Sequence, residues 1–138
     1  MTTLEEHVIP IVLAHYPHAQ AIYLFGSAST PAEWPDSDVD VAVLLPPAAA
    51  RQAGSLTLGA LHLALAAALQ KEVDLINLRQ APTVLQKEIT MANRRIFCAD
   101  AYATAEFEML VLSYYQKLNE ERREILEAFR RTGRAYAV

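Results

Sequence analysis

A single cysteine, Cys98, stands in 138 residues. No internal disulfide can form, which excludes the small stapled scaffolds of the secreted world. Basic residues are outnumbered, with Lys and Arg totalling 12 against 16 Asp and Glu and a net charge of -4. Direct nucleic-acid binding is therefore not expected, because non-specific binding needs a basic surface to displace counterions from phosphates. No apolar run is long enough to cross a bilayer, and Met1-Thr2-Thr3-Leu4-Glu5-Glu6 has neither the basic start nor the apolar core of a secretion signal. A cytoplasmic protein without a membrane partner is the expectation. Glycine is scarce, and no Gly-x-x-x-x-Gly-Lys-Ser/Thr occurs, so any nucleotide site is not a P-loop. His7, His15, His18 and His62 make no zinc pattern with Cys98, which reads as a core residue.

What is present suits one globular domain spanning residues 1–138, 53% hydrophobic and 20% charged. Thr3 and Glu6 form a capping-box pattern ahead of Leu4, Val8, Ile11 and Val12, predicting a helix toward Tyr16. Pro10 predicts a kink or a later start. The apolar runs 20–26 and 38–45 read as strands buried on both faces. Ala49 to Gln70, rich in Ala and Leu, reads as one helix. A third strand is expected over Val73 to Leu78, a helix from Pro82 toward Met91 with Asn93 near its end, and a short fourth strand at Arg95 to Cys98. Residues 105–131 lack Gly and Pro and set Phe107, Val111, Tyr114, Leu118, Ile125 and Phe129 on one face. A long helix follows, the core of a C-terminal helical segment over 101–133 with Gly133 as its stop. The fold class is α/β (α+β), a small sheet flanked by helices.

The chemistry concentrates at two places. Gly26-Ser27 ends the first strand, where a glycine admits close approach of a phosphate and the hydroxyl and amides can donate to it. Asp38-Val39-Asp40 opens the second strand, and side-chain alternation projects both carboxylates from the same face. Two like charges on a strand are costly unless a cation binds them, and an all-oxygen set suits Mg2+ with substrate phosphates. Asp74 lies in another apolar run, and adjacent pairing would bring it beside them. An isolated Asp-x-Asp is more often a pair of turn acids; the strand and Gly-Ser before it and Val73-Asp74-Leu75 after it reverse the odds.

Leu24-Phe25-Gly26-Ser27 followed by Asp38-Val39-Asp40 resembles the signature of the DNA polymerase beta-like nucleotidyltransferases, and the order of elements over about residues 4–100 resembles their minimal members. Among these the resemblance is to the MntA-type antitoxins paired with HEPN toxins. It implies a polymerase-beta-like mixed sheet and a Mg2+-dependent transfer of AMP from ATP to a tyrosine of the toxin. It also implies Gly26 and Ser27 as nucleotide-phosphate contacts, and Asp38, Asp40 and Asp74 as catalytic ligands of two Mg2+ ions, with Asp74 either ligand or general base. Many relatives carry an arginine soon after Gly-Ser, whereas Ala28 to Pro35 holds no basic residue. Arg79, Lys87, Arg94 and Arg95 are alternative sources of positive charge, each read first as a surface charge. Trp34 reads as packed on its own domain. Part of the long helix near Tyr114 and Tyr115 is a candidate partner surface. Two other functions compete: a small-molecule, aminoglycoside-like nucleotidyltransferase, for which the chain lacks an evident acceptor region, and a steric antitoxin without catalysis.

Overall fold

The computed structural model describes residues 4–26, 38–92 and 94–132. The elements run α1 (Leu4–His15), β1 (Ala21–Phe25), β2 (Val39–Leu44), α2 (Pro47–Ala53), α3 (Ala60–Leu69), β3 (Val73–Asn77), a 3-10 turn (Leu78–Gln80), α4 (Thr83–Met91), β4 (Arg95–Cys98) and α5 (Ala101–Thr132). The sheet order is β3-β2-β1-β4. β1 pairs antiparallel with β2 and β4, while β2 and β3 are parallel. A parallel pair cannot be joined by a tight hairpin, and α2 and α3 make the crossover.

Alternation along the strands divides the core in two. Ile22, Leu24, Val39, Val41, Val43, Val73 and Leu75 join Val8 and Val12 of α1 and Leu61 and Leu65 of α3 on one face. Ala21, Tyr23, Ala42 and Leu44 join Ile89 of α4 and Phe107 and Val111 of α5 on the other. Covering both faces explains why the strands read as continuous apolar runs. Asp40, two residues from Ala42, therefore shares the α4/α5 face of the sheet, at its N-terminal end along β2.

Four expectations need correction. α1 runs from Leu4 to His15 with the exposed Pro10 inside it, so the later start does not occur. The helix expected from Ala49 to Gln70 is two helices separated by residues 54–59. Gly54 turns at φ 58°, and the buried Asn77 amide donates to the carbonyls of Ala50 (2.8 Å) and Gly54 (2.9 Å). Leu58 (φ 64°) is held by its N–H donating to His62 Nδ1 at 2.7 Å, while His62 Nε2 donates to Val73 O at 2.9 Å. Cys98 is exposed, because β4 is the outer strand; its thiol lies 3.6 Å from Thr104 Oγ1. On α5 only Phe107 and Val111 of the expected apolar face are buried, whereas Tyr114, Ile125 and Phe129 stay exposed since the helix outruns the sheet beneath it. The helix begins at Ala101, within the expected 101–133 segment, and the Asp100 carboxylate accepts from Ala103 N at 3.0 Å. Thr3, Asn93 and Gly133 lie outside the described residues. Among those described, no helix is long and apolar enough to cross a membrane.

Tyr23 locks the α5 face to β1. It is buried, and its hydroxyl donates to Glu108 Oε1 at 2.8 Å, an oxygen that Arg95 Nη1 also reaches at 2.9 Å. Burial first, then the bond to and charge of Glu108, push its pKa well above the ordinary tyrosine value. Tyr23→Phe should lower stability by about 1 kcal/mol in urea denaturation near neutral pH. The phenol stays protonated when folded but ionises when unfolded. Wild-type stability should thus be whole below about pH 10 and decline above it, a component missing from Tyr23→Phe.

Candidate functional site

Strand pairing brings the separated acids together. In the parallel β2–β3 ladder Asp40 is the register partner of Asp74, and in the antiparallel β1–β2 ladder it faces Phe25, the residue before Gly26. Asp38 immediately precedes β2, where Val39 N donates to Glu72 O at 2.9 Å and fixes the strand entrance. Asp38 and Asp74 are exposed and Asp40 is half-buried. The Asp40 carboxyl is pushed above the usual carboxylate range by burial, then by the charges of Asp74 and Asp38, with Arg94 opposing the shift. The three acids therefore share one electrostatic site.

Gly26 closes against it. Its φ is 68°, a conformation that side chains resist, and a Cβ built there would collide with Asp40 Oδ2 and lie 3.0 Å from Asp40 Cγ. The bare backbone is what lets the turn lie on the carboxylate. Ser27, Trp34 and the rest of residues 27–37 lie outside the described residues.

Of the four basic residues held in reserve, Arg94 alone reaches this place. Its Nη1 donates to Gly26 O at 2.7 Å, and its own carbonyl accepts from Leu24 N at 3.0 Å. Arg79 is no surface charge: Nε donates to Leu45 O, Nη2 to Gln20 Oε1 at 2.6 Å, and the guanidinium lies 5.2 Å from the Phe107 ring centroid, beyond the opposite end of β2. Arg95 pairs with Glu108 at 2.9 Å, and Lys87 lies 4.8 Å from the Tyr115 ring centroid. Nothing in the linear sequence singled Arg94 out, because its place depends on β4 lying beside β1.

Among the described residues no three acids, histidines or cysteines form a ready-made metal cage. What the strands present is an open, oxygen-only group whose members repel one another. That donor set suits Mg2+, which takes one or two carboxylates and completes its shell with water and phosphate oxygens. A cation here would offset the repulsion that raises the Asp40 pKa.

The family model described as "Polymerase beta, Nucleotidyltransferase" matches residues 7–102, which include all four strands, Gly26, the three acids and Arg94. The chain belongs to the polymerase beta nucleotidyltransferase family. As a member it is a nucleotidyltransferase. It is 33% identical over 123 residues, 89% of this chain and 85% of the relative, to Protein adenylyltransferase MntA of Shewanella oneidensis strain MR-1. Its fold is similar to a crystal structure of a toxin-antitoxin with AMP-PNP: TM-score 0.71, 32% identity, 91% of this chain and 97% of that one. It is also similar to a structure of tri-AMPylated Shewanella oneidensis HEPN toxin in complex with MNT antitoxin, with TM-score 0.65, 31% identity, and 90% and 93% of the two chains covered. The polymerase-beta-like mixed sheet implied by the sequence is thus the fold found.

Two outcomes test the geometry without any substrate. Gly26→Ala should cost about 1–3 kcal/mol, since it adds both backbone strain and the clash with Asp40, and a urea titration reads it directly. Asp40→Asn should raise the melting temperature of the metal-free protein by roughly 1–4 °C near pH 7. The sign follows from the raised carboxyl pKa: the fold favours the protonated acid, so the wild type carries no penalty below the ordinary value of about 3.9 and becomes penalised as pH rises through the carboxylate range. The advantage of Asp40→Asn should accordingly disappear at about pH 3.

Proposed function

We propose that this protein is a Mg2+-dependent protein adenylyltransferase that moves AMP from ATP to a tyrosine of a HEPN-type toxin partner and thereby neutralises it. The observation that carries the reading is the register of Asp40 with Asp74 beside the Gly26 turn. The AMP-PNP complex of one similar structure supports a nucleoside triphosphate as donor, and the tri-AMPylated HEPN toxin of another supports AMP as the group moved and a toxin as its acceptor.

In this reading Asp38 and Asp40 hold two Mg2+ ions, with Asp74 as the third acid. Gly26 and Ser27 meet the nucleotide phosphates. The bound ions supply charge neutralisation for the attacking and leaving oxygens. The chain's own part is orientation. β2 and β3 present the carboxylates from one sheet face, and the glycine turn brings backbone against them with no intervening side chain. A bond forms between the tyrosine oxygen and the α-phosphorus as the bond to the bridging oxygen of pyrophosphate breaks, and the phenolic proton leaves to a carboxylate or to water. Asp74 is the acid at the β3 side of the site, serving as a metal ligand or as the general base toward the acceptor hydroxyl. We place this work in the cytoplasm, where ATP and free Mg2+ are supplied.

Incubation of the protein with ATP, Mg2+ and a HEPN partner should add whole AMP increments to the partner's intact mass. Asp38→Asn with Asp40→Asn should slow this roughly a thousandfold or more, because several kcal/mol of transition-state stabilisation are lost. Binding of the partner with no mass increase would favour steric neutralisation, and AMP appearing on a small-molecule acceptor in place of the partner would favour the aminoglycoside-like alternative.

A further inference from the structure

The segment from Ser27 to Ser37 contains no Lys or Arg, so it brings no cation to a triphosphate whatever path it takes. A nucleoside triphosphate carries several negative charges toward a site that already holds three acids. Some of that charge falls to metal, but the protein has another cation at the turn. Arg94 enters just before β4, and one of its guanidinium nitrogens, Nη1, is spent on Gly26 O at 2.7 Å. The other, Nη2, is buried and has no hydrogen-bond partner among the described residues. A buried guanidinium N–H without an acceptor is costly, and such an exception calls for a ligand or a function. The glycine it holds is the same one that lies against Asp40. The guanidinium and the carboxylate thus both lie against one turn.

We infer that Arg94 is a nucleotide-contact residue, fixing the Gly26 carbonyl through Nη1 and donating through Nη2 to a phosphate oxygen of the bound triphosphate, so that the edge of β4 supplies the positive charge that the Gly-Ser loop lacks. Arginine suits this double task because its planar fork presents several donors in fixed directions, whereas lysine offers a single ammonium. The opposing influence of Arg94 on the Asp40 carboxyl agrees with that placement. Its anchoring also makes geometric sense. The Arg94 carbonyl is tied to Leu24 N, so the side chain leaves from a backbone position locked to β1, the strand that leads into the turn.

The inference rests on the nucleotidyltransferase site proposed above, and equilibrium binding separates its failure from failure of that reading. Titration calorimetry with AMP-PNP plus Mg2+, and separately with adenosine, is run on the full-length wild type, Arg94→Ala, Arg94→Lys and Asp38→Asn with Asp40→Asn. Arg94→Ala should bind AMP-PNP about tenfold or more weakly. Its adenosine affinity should stay within about twofold, and Arg94→Lys should recover only part of the loss. If Arg94→Ala binds AMP-PNP like the wild type while the double Asp variant has lost Mg2+-dependent binding, Arg94 has no phosphate role and the acid site stands. Equal weakening toward AMP-PNP and adenosine, or full recovery by Arg94→Lys, also overturns the fork-like phosphate contact. A wild type that binds no AMP-PNP with Mg2+ sinks both readings. Arg94→Gln, which keeps donors and bulk without charge, replaces Arg94→Ala should the latter fail to fold, and the same tenfold criterion applies to it.

Discussion

Like charges held together by strand register set the terms for everything around them. A side chain on a strand cannot swing to the other face without moving the whole strand, and a shift of one residue would reverse every neighbour as well. Asp40 is pinned in this way between Phe25 on one side and Asp74 on the other. Val39, Val41 and Val43, buried on the opposite face, enforce that register with the hydrophobic core itself. The acids stay close because separating them would expose valine. This is a common trade in functional sites: packing energy from a large apolar cluster maintains a local arrangement that is unfavourable when empty.

The elements beyond the sheet serve the same arrangement at a distance. His62 joins the first turn of α3 to the Val73 carbonyl, one residue from Asp74, and Asn77 closes the end of α2 from the far end of the same strand. β3 is thereby held at both ends by polar side chains while its middle packs on apolar ones. Tyr23, Glu108 and Arg95 form a corresponding clasp between β1, α5 and β4. These contacts do not approach the acids. They restrict the strands that carry them, which is how rigid elements give a site its geometry.

The sheet, most helices and the acid site were readable because their signals are local. Two strands with Gly26 at one end and Asp38 and Asp40 at the other announce themselves by alternation and by turn chemistry, and Asp74 needed only the further step that β3 lies beside β2. Long-range effects were not readable. Alanine and leucine dominate residues 49–70, but Gly54, Ser55, Thr57 and Gly59 weaken helix propensity in the middle, and the break at Gly54 is completed by Asn77, more than twenty residues downstream. Cys98 has the composition of a core residue but lies on an outer strand. Ile125 and Phe129 keep the helical spacing of a buried face where no sheet remains to cover them. Arg94 looks like any other basic residue until β4 is placed against β1. Ser27, which the loop signal named, lies outside the described residues.

The strand order also governs when, during synthesis, this protein becomes competent. β1 and β2 are made early, but β2's parallel neighbour arrives only after the α2–α3 crossover, and β1's outer neighbour arrives after α4. A nascent chain that has just passed Asp40 therefore displays two carboxylates with neither Asp74 nor Arg94 to complete their surroundings. Because distant contacts must close loops before they yield any stabilisation, assembly of the site awaits β3 and β4. Ribosome-bound fragments that stop short of β4 should consequently be silent intermediates, and competence should emerge abruptly once β4 joins the sheet rather than grow with length.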